Sequence, residues 1–260
     1  MHFFPQYQPL FARIDAHTLV LTPNQRLARF LVKQYDLYSS AQTVATWQTL
    51  PCSSWSLWLQ TLWDQAQTAG VHALAEGQIL TPQQERLLWL QAIEQGGAPE
   101  LLSQDSMAEM AAQAWRYLKL WGRQWQDLPD HLEEVRLFKI WAQAFQQLCD
   151  EQGQLDSASV LERVAIITAQ NLLPLPKTLI LVGFDEMAPA EQAFCEQLKT
   201  QGLLIETFDP PMPGTAIRLE LPDRDTELRR AARWAAGLVA RDNSRSIGVV
   251  VPDLAQQRPL

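Results

Sequence analysis

Apolar positions along the chain alternate between a strand-like and a helix-like rhythm. Residues 18–22, Thr-Leu-Val-Leu-Thr, form a short β-branched run and predict a strand. Pro23 and Asn24 end it, and Leu27, Phe30, Leu31 and Tyr35 then recur at helical spacing. Residues 43–47 predict a second short strand. Pro51 and the serines after it predict a turn and an N-cap, because a serine oxygen accepts a free N–H of the first helical turn. Trp55, Trp58, Leu59, Leu62 and Trp63 lie on one face of the helix that begins there.

From residue 66 to about 150 the pattern predicts almost continuous helix. Thr81-Pro82-Gln83-Gln84-Glu85 predicts a helix start: Thr81 caps, Pro82 suits the first turn, and Gln84 occupies the capping-box position. Gly96-Gly97 and Asp127-Leu128-Pro129 are breaks. Between them Ala111, Trp115, Leu118, Trp121 and Trp125 share a face. After them Val135, Phe138, Trp141, Phe145 and Leu148 share another. Antiparallel helices packed through aromatics satisfy both rhythms.

The strand pattern returns at residues 178–182, Thr-Leu-Ile-Leu-Val, a continuous apolar run as expected for a strand covered on both faces. A helix over 189–200 and a strand over 203–208 follow. Asp209-Pro210-Pro211-Met212-Pro213-Gly214 is the best linker candidate. Beyond it the pattern predicts a strand over 216–221, a helix over 226–241 and a strand over 246–251. Strands alternating with helices predict a parallel α/β sheet. The expected organisation is a first part of an α/β domain at 1–65, an all-helical insertion at 66–150, the return of the α/β domain at 151–212, and the start of a second α/β domain at 213–260. Residues 252–257 read as a helix just starting, so the chain is expected to be the N-terminal part of a longer protein.

Composition narrows the functional classes. The chain has 260 residues, 47% hydrophobic and 19% charged, which is globular rather than disordered. A net charge of -8 does not advertise strong nucleic-acid affinity, so any such affinity must come from a local patch. Cys52, Cys149 and Cys195 are far apart, with no CxxC and no histidine ligand set nearby. That argues against a zinc or iron–sulfur site built from this segment alone. An odd cysteine count without a signal-peptide pattern fits a cytoplasmic protein. No apolar run approaches the ~20 residues of a membrane helix, so no membrane association is expected. His2, His17, His72 and His131 are scattered and take no catalytic role.

The turn after the first strand is where a phosphate loop would sit. That chemistry needs glycines, a lysine and a Ser or Thr. Thr22-Pro23-Asn24-Gln25-Arg26-Leu27-Ala28 has no glycine and no lysine, and Pro23 lacks an N–H. An ordinary strand-to-helix turn is expected, with Arg26 as the one residue able to meet a phosphate. After the returning strand, Asp185 and Glu186 suggest a Walker-B carboxylate pair, but they come two residues late. Gly183 and Phe184 stand in the acidic positions, so Asp185 and Glu186 are expected to be turn and helix-start acids. The 10 tryptophans recur mostly at helical spacing and are expected in cores rather than stacked on bases. Arg229, Arg230, Arg233, Arg241 and Arg245 are interspersed with Asp223, Asp225, Glu227 and Asp242, which predicts a solvated face over a phosphate site.

An interrupted α/β fold with empty nucleotide motifs resembles the UvrD-like, superfamily-1 helicase core in its degenerate AddB form. Residues 19–31 sit where the helicase phosphate loop would be. Residues 145–161 are similar to the helicase stretch that precedes the Walker-B strand. Residues 179–192 sit at the Walker-B position, with Gly183 and Phe184 in place of the acids and Gln192 retained. Residues 225–235 and 246–253 resemble the opening of the second motor-like domain. The resemblance covers essentially the whole chain. It implies a degenerate helicase-like scaffold, with no catalytic residue, metal or cofactor within residues 1–260, from a larger AddB/RecB-like DNA-repair exonuclease subunit. The Mg²⁺-dependent nuclease domain would lie outside this segment. The implied partners are DNA and a UvrD/AddA-like helicase subunit, and Thr22, Asn24, Gln25, Arg26, Thr46 and Trp47 are the expected strand contacts. A protein-interaction module without DNA contact, and an atypical ATPase using Asp185 and Glu186, are the alternatives.

Overall fold

A computed structural model of the chain describes residues 3–42, 46–70, 76–97, 103–211, 216–242 and 247–252. The chain divides into two compact units, residues 1–211 and 212–260. The larger unit is an α/β fold. Its sheet is parallel and contains β1 (Thr18–Thr22), β2 (Cys52–Ser54), β5 (Thr178–Val182) and β6 (Leu204–Phe208), in the order β2-β1-β5-β6.

The pleat of β1 and β5 sends alternate residues to opposite faces. Val20, Ile180 and Val182 bury one face against Leu10 and Phe11 of α1 (Gln8–Phe11) and Leu31 of α2 (Gln25–Ser40). Leu21, Leu179 and Leu181 bury the other against α3 (Trp55–Thr68), α7 (Val160–Ala169) and α8 (Pro189–Thr200), through Trp58, Leu62, Val164, Ile167, Phe194 and Leu198. This two-sided burial is why the central strands read as unbroken apolar runs. The helix of the β1-to-β2 connection and that of the β5-to-β6 connection lie on opposite faces of the sheet.

Between β2 and β5 the chain leaves the sheet and builds a separate helical core from α4 (Pro82–Gly96), α5 (Gln104–Leu120) and α6 (Glu133–Glu151). Thr81 and Gln84 close the expected capping box at the start of α4. The centre of this core is Trp89 stacked on Phe145, with centroids 4.0 Å apart and planes 6° from parallel. Trp115 meets both rings edge-on, at 6.0 and 5.7 Å.

A polar knot ties the helical core to the returning chain. Asp156 is buried and accepts Trp115 Nε1–H at 2.9 Å and the N–H groups of Ala158 and Ser159 at 3.0 Å each. Ser157 Oγ donates to the buried Glu85 carboxylate at 2.8 Å. Burial raises the pKa of Glu85 above its ordinary 4.5; the Ser157 hydrogen bond opposes the shift and the Asp156 charge adds to it. Nearby, Lys119 of α5 donates to Glu162 of α7 at 2.9 Å.

Four expectations change. The neighbour of β1 is not at 43–47: residues 43–45 lie outside the described residues, and Thr46 and Trp47 belong to no strand. The neighbour is Cys52–Ser54, paired Val20↔Cys52 to Thr22↔Ser54. Small polar residues are no obstacle at that edge, because the ladder of β1 supplies the partners. The insertion is not purely helical either. β3 (Gln78–Ile79) pairs in parallel with β4 (Gln154–Leu155) at its base. Gly77 permits this, since a Cβ there would lie 2.9 Å from the carbonyl oxygen of Gly153. Trp121 leaves the expected face, because α5 stops at Leu120 and the ring is 63% exposed.

In the smaller unit the described residues 216–221 and 247–251 form no strand, and Ser246 lies outside the described residues. A parallel strand needs a hydrogen-bonded neighbour, and neither stretch has one among the described residues. Ile217 and Val250 are accordingly 81% and 93% exposed. The helix of this unit is α9 (Arg224–Arg241), capped by Asp223. Among the described residues no helix is long and apolar enough to cross a membrane.

Candidate functional site

In a doubly wound sheet, ligands bind beyond the carboxyl ends of the strands, where the winding reverses. Here that point lies between β1, which leads to β2, and β5, which leads to β6. The turn after β1 and the turn after β5 border it, and these two turns carry most of the residues singled out from the sequence.

Thr22 and Asn24 of the first turn are committed to the turn itself. Thr22 is 0% exposed, and its hydroxyl donates to Asn24 O at 2.9 Å and Ser53 O at 3.3 Å. Thr22 therefore positions the turn and offers no group to solvent. Asn24 caps α2 by accepting Leu27 N–H at 3.0 Å, so the helix N-terminus spends a free donor on its own chain. Gln25 and Arg26 are exposed.

Leu27 decides what the switch point can hold. A Cβ on Gly183 would lie 2.6 Å from Leu27 Cδ2 and 3.9 Å from Pro23 Cδ. Gly183 has φ +76°, where side chains are strained. The close approach and the backbone conformation both require glycine at this position. Phe184, next in line, packs its ring against Trp55 at 6.1 Å. Asp185 and Glu186 are exposed. Gln192 donates to Met187 O at 2.7 Å and so closes the start of α8. Among the described residues no group of three His, Cys, Asp or Glu is placed to hold a metal ion.

The solvent face of α2 has a different character. Arg26, Arg29 and Lys33 repeat at i, i+3 and i+7 along α2 and all face solvent. Thr46 and Trp47 are exposed as well. Trp47 Nε1 donates to Asp36 Oδ1 at 3.1 Å, which brings a 40%-exposed indole to the same helix and occupies its one carboxylate. Arg29 and Lys33 also line a hollow of about 510 Å³ with Gln25, Ser53 and Ser54. Sequence reading singled out Arg26 and missed Arg29 and Lys33. The helical period that placed Leu27 and Leu31 inside places these two outside on the same side as Arg26.

The cysteines are chemically quiet. Burial pushes Cys52 and Cys149 up to about 12 and Cys195 to about 11, so none is a thiolate at neutral pH.

A second concavity lies in the helical insertion. It is an apolar groove of about 690 Å³ between α5 and α6, floored by Met107, Ala111, Phe138 and Trp141 and edged by Met110, Tyr117 and Trp121.

No family model and no curated protein matches this chain.

Proposed function

We propose that this chain is a non-catalytic, helicase-like scaffold of a DNA-repair exonuclease subunit, which holds a DNA strand and a helicase-type partner. The observation that carries the reading is the contrast at the switch point. At the turn where a motor would keep a carboxylate, Leu27 lies so close to Gly183 that no side chain fits there. The solvent face of α2, which starts at the turn after β1, presents Arg26, Arg29 and Lys33, and the exposed indole of Trp47 meets the same helix at Asp36. Cations along a helix meet phosphates, and an exposed aromatic ring gives a base something to stack on. In this reading Thr22 and Asn24 shape the turn, while Gln25, Arg26, Thr46 and Trp47 make contact together with Arg29 and Lys33. The Mg²⁺-dependent nuclease chemistry belongs to another part of the larger protein.

The test is titration of a labelled single-stranded oligonucleotide over a salt series. The chain is expected to bind, with affinity falling as salt rises. Arg26→Gln, Arg29→Gln and Lys33→Gln together should flatten the log–log salt slope by about 2, at roughly 0.7 per lost phosphate contact. Calorimetry with Mg²⁺-ATP should give no heat, whereas binding heat that Asp185→Asn abolishes would restore the ATPase alternative.

The groove between α5 and α6 favours a second reading, a protein-interaction module without DNA contact. Its edge carries Met110 and Tyr117, both exposed, and such residues are enriched at interfaces. Co-purification of a helicase-like partner, with no oligonucleotide shift at low salt, would select this reading over the first.

A further inference from the structure

The charge of the chain is divided unevenly. Residues 1–211 hold 13 basic and 23 acidic side chains; residues 212–260 hold eight arginines, no lysine and six carboxylates. Within α9 the two signs separate again. Asp225 and Glu227 sit in its first turn, and Asp223 is the cap, accepting Thr226 N–H at 2.7 Å and the Thr226 hydroxyl at 2.9 Å. Those acids complement the helix dipole and its free N–H groups. From residue 228 to 241 the helix carries four arginines and no acid.

These four share one side. At 3.6 residues per turn, Arg229, Arg230, Arg233 and Arg241 fall within an arc of about 120°, and no carboxylate lies inside it. All four are exposed. The half-buried residues Leu228, Ala231, Ala235 and Leu238 mark the opposite side of the helix. Arg229 has a loose pair with Asp225 at 3.6 Å, between two exposed side chains. Arg230, Arg233 and Arg241 have no ion-pair partner among the described residues. The sequence suggested that acids dilute this cluster. The structure places Asp223, Asp225 and Glu227 at the helix start and Asp242 at its C-cap, next to Arg241 and away from Arg229, Arg230 and Arg233.

We infer that the arginine face of α9 is a second nucleic-acid contact, binding the phosphate backbone without reading bases. Guanidinium groups present planar forks that match phosphate oxygens two at a time, and an all-arginine face suits that geometry better than a generic basic surface would. A lipid surface fits less well. Leu228 and Leu238 on the opposite side are already half-buried, which leaves Trp234 and Val239 as the exposed large apolar side chains of the helix, a small area for insertion into a bilayer. The inference deepens the DNA-scaffold reading and rests on it for the identity of the polyanion.

The experiment separates the two claims by scoring α2 and α9 variants independently. The full 260-residue chain is titrated against a labelled single strand of about 30 nucleotides at several salt concentrations. Arg229→Gln, Arg230→Gln and Arg233→Gln are combined, since glutamine keeps helix propensity, and circular dichroism verifies the fold. The α9 triple variant should bind at least ~10-fold more weakly at low salt, with a slope flatter by about 2. Unchanged affinity and slope in that variant, with the α2 variant impaired, would overturn the α9 contact and leave the scaffold reading intact. Weakening in α9 alone would support it and remove the α2 assignment. Absence of binding by the parent chain, with arginine-dependent binding to phosphatidylglycerol vesicles instead, would overturn both in favour of a lipid surface.

Discussion

Gly183 and Leu27 are mutually dependent, and their coupling is measurable. Gly183→Asp should destabilise the protein by roughly 2–4 kcal/mol. The sum combines a positive-φ strain of about 1 kcal/mol with overpacking of about 1–3 kcal/mol against Leu27. Urea unfolding checks this. Calorimetry on the same variant should still give no nucleotide binding, because the turn after β1 keeps its proline and its self-capped Asn24. Glu85 supports a prediction with a sign. Its folded pKa lies above its unfolded value near 4.5, so its contribution to stability is fully present below that pH. The contribution is lost as pH rises through the folded pKa. Glu85→Gln keeps an acceptor for Ser157 and removes the titration. Its stability relative to the parent should therefore increase from acid to neutral pH; a difference independent of pH would refute the assignment.

Among the elements, the helical insertion is the one held by the most specific contacts. Trp89→Ala removes the ring stacked on Phe145 at the centre of that core and should cost roughly 3–5 kcal/mol. Trp115→Phe keeps most of the ring contacts but deprives buried Asp156 of a donor, for about 1–3 kcal/mol. The sequence was most legible where burial produced a full period. β1 and β5 follow from unbroken apolar runs, α8 from its helical pattern after Pro189, and the caps at Ser54 and Thr81 from hydrogen-bonding side chains. It was least legible where pairing does the selecting. Cys52–Ser54 and Gln78–Ile79 have little strand propensity, and they are strands because a neighbouring ladder exists. Residues 216–221 have the alternation and no ladder among the described residues. For the candidate site, the missing phosphate loop was visible as missing residue types. The close approach of Leu27 to Gly183 was not, because it depends on the spacing of two turns about 160 residues apart in sequence.

For the whole molecule, the division at Pro211 separates a cored unit from one whose helix buries no residue. A chain ending at Pro211 should unfold cooperatively at the same midpoint as the full chain and lose the α9-dependent part of its salt slope. A lowered midpoint would show that the second unit stabilises the first. Within the larger unit, the β3–β4 pair sets Gln78 beside Gln154 and Ile79 beside Leu155. Neighbouring strands lie about 4.8 Å apart, so the chain enters the helical excursion and returns from it at nearly the same point. Topologically the excursion is a cassette. Because the pair is parallel, a crossover of about a dozen residues from Ile79 to Gln154 could replace it, closing a far shorter loop, and an unrelated domain with adjacent termini could be spliced into the same port. The parallel sheet would then serve as a chassis whose attachments are exchanged at one position while its own connections stay unchanged.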